Sequence, residues 1–214
     1  MQFQTICINP TVVVADGVFD TSLADKIISG GRAALQRAPV VSDDGGTAIS
    51  ETRTNSTAYL DQTSDLSLMT LASRVSSVVR LPVENAEPCQ LLHYTGPQEF
   101  RAHSDGFDPD GPGGPEHLMR GGQRLFTTIC YLNDVPQGGE TEFPELRIRV
   151  AARLGRVVIF GNTKLGTNKL HPHSLHAGVP VTQGEKWALT FWWRERPYHM
   201  VTDYPEEEGA YRTV

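Results

Sequence analysis

Residues 174–193, SLHAGVPVTQGEKWALTFWW, are the part of the sequence that decides the fold. Two apolar, β-branched runs in it, residues 178–181 and 186–193, are separated by a Thr-Gln-Gly turn, and this pattern predicts two strands. The segment also carries two chemically active side chains ten residues apart, His176 and Lys186. It therefore predicts a β core that holds functional groups.

The same β character extends towards the N-terminus as far as Cys89 and returns at the start of the chain. Short β-branched and apolar runs are separated by turns that contain glycine or proline, so each run predicts a strand. These predicted strands are residues 3–8, 11–15, 89–94, 123–132, 147–151 and 156–160.

Two helices are predicted in the N-terminal part of the chain. Thr21 or Ser22 is a suitable N-cap for the first helix, which we expect to run to about Gln36. The second helix, at residues 64–80, has a broad apolar stripe at helical spacing. Residues 39–56 are polar and contain glycine, so they predict a loop.

The order of these elements, helices first and then a run of short strands, predicts a mainly β protein with flanking helices. The chain of 214 residues is long enough for one domain with a sizeable core, and no repeat or low-complexity linker marks a second domain. We expect a single domain over residues 1–214. Residues 1–86 are its helical support region, and residues 87–196 are its catalytic β core.

Charge and cysteine content disfavour several classes of function. The net charge of −6 disfavours binding to nucleic acid or to an anionic membrane, since both require a basic surface. Three scattered cysteines without a CxxC pair favour buried thiols in a reducing compartment. No secretory signal is visible, and no apolar run approaches the ~20 residues of a membrane span. We expect a cytoplasmic enzyme.

His103 and Asp105 form a His-x-Asp pair, and His176 follows 71 residues after the aspartate. Residues i and i+2 of a strand point to the same face, so His103 and Asp105 can direct a nitrogen and an oxygen to one ion. Two imidazoles and one carboxylate are the facial triad of non-haem Fe(II) oxygenases, which keep positions open for co-substrate and oxygen. The three residues therefore predict a catalytic iron site.

Other histidines offer competing ligands. His171, His173 and His176 lie within six residues, and a zinc site built from them is an alternative, although Pro172 and the spacing match no standard zinc pattern. The remaining histidines are His93, His117 and His199. We prefer His176 as the iron ligand because an Ala-Gly-Val-Pro-Val run follows it and Lys186 lies beyond.

Lys186 begins an apolar, tryptophan-rich run. A lysine after a Gly-Glu turn is normally a solvated edge residue. Here the surrounding residues favour an inward direction, and a buried ammonium without an anionic partner is costly. We therefore expect Lys186 to bind the distal carboxylate of a dicarboxylate co-substrate.

Residues 107–122 directly follow the His-x-Asp pair and are rich in glycine and proline. The segment is too irregular for a strand, and a long structureless loop inside a compact domain is usually functional. We expect it to cover the substrate as a lid.

Several ordered blocks of the chain resemble the prolyl 4-hydroxylase branch of the Fe(II)/2-oxoglutarate dioxygenases. The resemblance covers residues 53–196. Its blocks are residues 81–94 (LPVENAEPCQLLHY), 94–98 (YTGPQ), 103–105 (HSD), 121–124 (GGQR), 131–135 (YLNDV), 138–144 (GGETEFP), 174–178 (SLHAG) and Lys186-Trp187 with Trp192. His171 stands where an aspartate often precedes the distal histidine of this family.

The resemblance implies a double-stranded β-helix (a jelly-roll, cupin-like core) with N-terminal helices packed on its major sheet. It implies that His103, Asp105 and His176 bind Fe(II). The reaction then uses 2-oxoglutarate as co-substrate together with O2, and ascorbate serves as a reductant.

The resemblance also assigns residues around the iron. Lys186 is implied as the partner of the 2-oxoglutarate C5 carboxylate, and Tyr94 as a second residue of that pocket. Arg124 and Trp192 are candidates for the substrate side, with a strand-surface arginine and a core aromatic residue as the alternative interpretations.

The implied activity is hydroxylation at C4 of a prolyl residue in a peptide or protein. One alternative is a hydroxylase of a free amino acid or a small natural product. A second is a non-catalytic jelly-roll binding module, which has no need of the cation Lys186 beside a metal. A third, a nucleic-acid demethylase of the AlkB type, is disfavoured by the acidic charge and by a lysine in place of the arginine signature.

Overall fold

The computed structural model describes residues 1–41, 47–49 and 51–198, which form helices and short antiparallel strands. The helices are α1 (Thr21–Gly31), α2 (Leu66–Val79) and α3 (Gly114–Met119). The strands are β1 (Gln2–Cys7), β2 (Val12–Asp16), β3 (Gln36–Arg37), β4 (Pro39–Val41), β5 (Thr47–Ile49), β6 (Ser56–Leu60), β7 (Cys89–Thr95), β8 (Phe100–His103), β9 (Arg124–Tyr131), β10 (Gln137–Gly138), β11 (Thr141–Phe143), β12 (Ile148–Val150), β13 (Val157–Gly161), β14 (His176–Gly178), β15 (Val181–Gln183) and β16 (Glu185–Arg194).

Most of these strands belong to two antiparallel sheets. The major sheet has eight strands in the order β1-β2-β13-β9-β16-β7-β6-β3, and the minor sheet has four in the order β12-β11-β14-β8. Strands β10 and β15 form a separate pair, as do β4 and β5. Since β1, β2, β3 and β6 all precede residue 87, the N-terminal region supplies strands to the major sheet as well as helices.

The apolar core has two layers, one on each face of the major sheet. On β16, Trp187, Leu189, Phe191 and Trp193 belong to the layer beneath the helices, whereas Ala188 belongs to the layer between the sheets. Successive side chains of a strand point to opposite faces, so a strand covered on both faces is apolar almost throughout. The alternation on β16 therefore fixes which side chains point into the interior.

The inner layer joins the two sheets. Leu92 and Tyr131 of the major sheet pack in one cluster with Phe143 and Val150 of the minor sheet. Two antiparallel sheets packed face to face, with α1 and α2 on the outside of the major sheet, form a helix-braced jelly roll. This architecture confirms the predicted fold class. None of the helices in the described ranges has the length and hydrophobicity to span a bilayer.

Both long helices begin after an aspartate. A carboxylate oxygen of Asp20 accepts a hydrogen bond of 3.0 Å from the main-chain N–H three residues on, and Asp65 caps α2 in the same way. Aspartate satisfies the first free N–H groups of a helix as well as serine does. The prediction that Thr21 or Ser22 caps α1 is therefore wrong, while α2 lies within the predicted residues 64–80.

The predicted end of α1 is also wrong. The helix ends at Gly31 and passes into a 3-10 turn at Arg32–Ala34, and Gln36 already pairs with Thr57 as part of β3. Glycine lowers helix propensity, and the pairing with β6 provides hydrogen bonds that a longer helix would lose.

Two further corrections concern loops and strands. The predicted loop at residues 39–56 contains the β4–β5 pair, and residues 42–46 and 50 of it lie outside the described residues. The predicted strand at 178–181 is divided between β14 and β15. Pro180, which lies at the division, has no N–H to donate to a sheet.

Helix α2 offers a matched test of the outer core. Leu71 is fully buried beneath it, whereas Leu66 on the same helix is 77% exposed. Leu71→Ala should lower the free energy of unfolding by about 2–5 kcal/mol, because it removes packed methyl groups and leaves a cavity. Leu66→Ala should change it by about 0.5 kcal/mol or less. Urea denaturation measures both values, and an equal loss of unfolding free energy in the two variants would contradict this packing.

Candidate active site

The predicted iron ligands converge at one point of the minor sheet. Pairing of β8 with β14 sets His103 directly opposite His176, and Asp105 follows two residues after His103. Asp105 Oδ1 lies 3.4 Å from His103 Nε2, and its Oδ2 lies 3.5 Å from His176 Nε2. One ligand atom from each residue lies within 4.8 Å of the other two.

Main-chain carbonyls fix the orientation of both imidazoles. His103 Nδ1 lies 2.8 Å from the carbonyl oxygen of Arg101, and His176 Nδ1 lies 3.1 Å from that of Ser174. A carbonyl only accepts hydrogen bonds, so each Nδ1 carries a proton and each Nε2 faces Asp105. Such outer hydrogen bonds hold metal-binding histidines in one tautomer.

Burial and charge set the protonation of the triad. Burial lowers the pKa of His176 to about 4, so this imidazole is neutral at physiological pH. Burial opposes the charge of Asp105, but His176, His103 and Arg124 hold its pKa below the usual range. A neutral imidazole and an ionised carboxylate are the forms that bind metal. The donor set of two nitrogens and one oxygen on one side of an ion suits Fe(II).

Lys186 lies in the wall of the pocket into which the triad opens. The residue is 2% exposed, and its Nζ lies 5.1 Å from the ring centroid of Tyr94 and 5.3 Å from that of Tyr131. Its Nζ forms no ion pair within 4 Å in the described ranges, and burial lowers its pKa to about 8 against the opposing charge of Glu140. Because a buried cation without a partner is costly, the pocket favours an anionic ligand.

Tyr94 is the strand neighbour of Lys186, since the two residues pair between β7 and β16. Its side chain is buried in the same pocket, and burial raises its pKa to about 12. The hydroxyl approaches Gly178 so closely that a Cβ there would lie 3.2 Å from it. Tyr94 is therefore a neutral phenol that can donate a hydrogen bond inside the pocket.

The two predicted substrate residues take different places. Trp192 lines the pocket, whereas Arg124 lies behind it with its guanidinium carbon 4.3 Å from the Trp192 ring centroid. Arg124 Nη2 donates to Glu87 Oε2 at 2.7 Å, and its Nη1 donates to the carbonyl oxygen of Asp105 at 3.1 Å. Arg124 thus connects the pocket wall to the metal-ligand segment.

Sequence reasoning missed Glu87 and Arg194. Arg194 Nε lies 2.8 Å from Glu87 Oε1, so one buried carboxylate serves two guanidinium groups, those of Arg124 and Arg194. Burial opposes the ionisation of Glu87, but the two arginines hold its pKa below the usual value. The sequence does contain a signal for this pair of sites, since a charged residue lies at one end of each of two strand-like runs. Glu87 comes before β7, and Arg194 is the last residue of β16.

Gln90 was missed as well. Its Nε2 and the Nε1 of Trp192 are buried, and neither atom has a hydrogen-bond partner among the described residues. Both residues line the pocket. An uncharged polar residue in the middle of an apolar strand is the signal in the sequence. The pocket wall therefore contains two buried donors that no described residue satisfies.

The other histidines of the described ranges lie apart from the triad. His171 Nε2 is 3.1 Å from Asn9 Oδ1, and its Nδ1 accepts from the His173 N–H, so the alternative zinc site does not form. His93 pairs with Glu185 at 2.7 Å. His117 stacks on Phe107, and His199 lies outside the described residues. Among the described residues, no second group of three close metal ligands is found.

Residues 107–122 contain the short helix α3. The side chain of Gln123 holds the start of the segment by two hydrogen bonds. Its Oε1 accepts from the Phe107 N–H at 2.9 Å, and its Nε2 donates to the Phe107 carbonyl oxygen at 2.7 Å. The Phe107 ring lies 4.7 Å from the Arg124 guanidinium, directly beside the pocket wall. The role of this segment as a lid stays a prediction.

Comparison with known proteins agrees with this geometry. Residues 89–194 match the model of the 2OG-Fe(II) oxygenase superfamily. A putative prolyl 4-hydroxylase of Acanthamoeba polyphaga mimivirus is 39% identical over 118 residues, which cover 55% of this chain and about half (49%) of the relative. Probable prolyl 4-hydroxylase 4 of Arabidopsis thaliana is 31% identical over 211 residues, covering 86% of this chain and 67% of the relative.

Solved structures show the same fold. The viral collagen prolyl hydroxylase of Paramecium Bursaria Chlorella virus-1, in its 2OG complex, superposes with a TM-score of 0.70 at 24% identity, covering 88% of this chain and 98% of that one. A prolyl hydroxylase from Trichoplax adhaerens in complex with a peptide of hypoxia inducible factor has a TM-score of 0.63 at 15% identity. The match covers 86% of this chain and 83% of that one.

The fold and the site define a 2-oxoglutarate-dependent dioxygenase that uses Fe(II) and O2. Within that class, the chain belongs to the prolyl 4-hydroxylase family, which confirms the resemblance drawn from its sequence blocks.

His176 and His171 offer a matched test of the metal site. His176→Ala removes a donor atom and should weaken Co(II) or Fe(II) binding by more than about 100-fold, beyond the loss seen for outer hydrogen-bond partners. His171→Ala removes a histidine five residues away that contacts Asn9, and it should bind metal like the wild type. Anaerobic metal titration measures both. Strong metal loss in His171→Ala would contradict the assignment.

The pKa of Lys186 predicts a pH dependence. Below about pH 8 the ammonium is charged and can pair with a carboxylate, whereas above it the proton is lost. The affinity of the Mn(II)-loaded protein for 2-oxoglutarate should therefore fall about tenfold from pH 7 to pH 9. Lys186→Arg, whose cation persists at pH 9, should show a smaller fall. A wild-type affinity that stays constant over this range would refute the lysine's role.

Proposed function

We propose that this protein hydroxylates C4 of prolyl residues in peptide or protein substrates, with release of succinate and CO2. One observation carries the proposal: a single pocket gathers the iron triad, the buried cation Lys186 and two unpartnered hydrogen-bond donors. The names of the prolyl 4-hydroxylase relatives support proline as the substrate residue.

Lys186 and Tyr94 are proposed to hold the co-substrate. They lie on the major sheet and face the triad, which lies on the minor sheet, so a dicarboxylate can span the interior with one end at each. When bound, iron and 2-oxoglutarate supply, together with O2, the oxidising power for an unactivated C–H bond. Apolar wall residues such as Leu92 and Ile129 exclude water from this space.

Gln90 and Trp192 are proposed to bind the substrate. A prolyl residue within a peptide has no N–H group, and its flanking carbonyl oxygens only accept hydrogen bonds. The unpartnered Gln90 Nε2 and Trp192 Nε1 provide donors for such oxygens. The carboxylate of free proline would also accept from these donors, so the preference for peptidyl proline rests on the prolyl 4-hydroxylase relatives.

Two further parts of the proposal concern the setting. Ascorbate is proposed as the reductant that keeps the iron ferrous. The cytoplasm is proposed as the location, which the free thiols of Cys7, Cys89 and Cys130 support, since reducing compartments keep thiols unpaired.

Succinate formation tests the proposal. Anaerobically purified protein should receive Fe(II), 2-oxoglutarate and O2 with a proline-rich peptide, with the same peptide carrying alanine for proline, or with free proline. We expect succinate to rise with the proline peptide alone and the peptide to gain one oxygen atom. Stimulation by free proline alone would favour a small-molecule hydroxylase, and no turnover with any substrate or without one would favour a binding module.

Lys186 and Lys164 allow a matched test of co-substrate binding in the same assay. Lys186→Ala should raise the 2-oxoglutarate concentration for half-maximal succinate formation by on the order of 10²-fold, because it removes a buried charge-assisted pair. Lys164→Ala, at an exposed loop lysine, should leave it unchanged. Equal behaviour of the two variants would contradict the proposed pocket.

A further inference from the structure

The carboxylate of Asp105 accepts a hydrogen bond from a residue outside the triad. Thr127 Oγ1, on β9 of the major sheet, lies 2.7 Å from Asp105 Oδ2. Thr127 is fully buried, so water does not compete for its hydroxyl group. The metal-ligand segment after β8 is therefore joined to the major sheet by a buried hydrogen bond.

A second buried residue gives this hydrogen bond a direction. Asn162 Nδ2 lies 3.0 Å from Thr127 Oγ1 and donates to it. A threonine hydroxyl has one proton, and since Thr127 accepts from the amide, its own proton points to Asp105. Asn162, Thr127 and Asp105 thus form a chain of two hydrogen bonds, called the relay below, in which the amide donates to the hydroxyl and the hydroxyl donates to the carboxylate.

The position of Asn162 is itself fixed. The residue directly follows β13, its N–H donates to the carbonyl oxygen of Leu125 at 2.9 Å, and its carbonyl oxygen accepts from the His171 N–H at 2.9 Å. The side chain is fully buried. Asn162, the first residue of the relay, is consequently held both by the sheet and by the loop that leads to His176.

We propose that Thr127, oriented by Asn162, is a positioning residue that occupies one oxygen of Asp105 and presents the other to the metal. A carboxylate held in this way would have one oxygen left to bind the ion. Without the hydroxyl group, no hydrogen bond from the major sheet holds the carboxylate of Asp105 in its orientation. The inference rests on Asp105 as a metal ligand.

Substitutions on β9 test the relay through metal binding itself. Thr127→Val keeps the shape of the side chain and removes the hydroxyl group. It should weaken Co(II) binding 10- to 100-fold, the range for outer hydrogen-bond partners, and should change the visible ligand-field spectrum of bound Co(II). Thr127→Ser restores the hydroxyl and should return the Co(II) affinity to within about threefold of wild type.

Thr128 provides the matched control. It is the next residue on β9, it is equally buried, and its Oγ1 accepts from Trp193 Nε1 at 3.1 Å on the helix side of the sheet. Thr128→Val should lower the unfolding temperature and leave the Co(II) affinity and spectrum unchanged. A loss of Co(II) affinity equal to that of Thr127→Val would reduce the effect to general destabilisation and overturn the proposal.

Asn162→Asp tests the direction of the relay. The substituted carboxylate has the same shape but cannot donate to Thr127, so the hydroxyl proton is shared between two carboxylates. Co(II) affinity should again fall at least about tenfold.

If Thr127→Val binds Co(II) with the affinity and the spectrum of the wild type, the metal site is intact and the proposal is refuted. A wild-type protein that binds no Co(II) would remove the metal site and this inference together.

Discussion

The face-to-face packing of the two sheets is the constraint on which the site depends. The triad lies on the minor sheet, where the β8–β14 register sets His103 opposite His176. Lys186 lies on the major sheet and points into the interior because β16 alternates, with Trp187 on the helix side. A shift of β16 by one residue would exchange Lys186 and Trp187. Strand register therefore decides whether metal and cation face the same space.

The buried charges form two groups. On the substrate side, Glu87 lies between two arginines, so the buried charges there have partners. At the metal, Fe(II), Asp105 and Lys186 together carry two positive charges, and Nζ of Lys186 has no ion-pair partner in the described ranges. A dianion that contacts both the metal and Lys186 neutralises this excess. The electrostatics of the protein thus favour a dicarboxylate, and 2-oxoglutarate is one.

Much of this arrangement could be predicted from the sequence. The His-x-Asp spacing, the distal His176 and the inward Lys186 are local patterns with a simple physical meaning. Three features of the fold were not predicted. Asp20 caps α1 although the two residues after it are also suitable caps, and Pro180 divides a strand because it has no N–H. The early end of α1 depends on the pairing of β3 with β6, which is a tertiary contact. Thr127 and Asn162 were also missed, since contacts between distant strands leave no local signal.

The central claim is that metal and Lys186 hold the same ligand. The most direct measurement is anaerobic calorimetric titration of 2-oxoglutarate into the protein with and without Mn(II). If the claim is correct, metal should tighten 2-oxoglutarate binding by about 5- to 150-fold, and 2-oxoglutarate should tighten Mn(II) binding by the same factor. Equal 2-oxoglutarate affinity with and without Mn(II) would contradict the account.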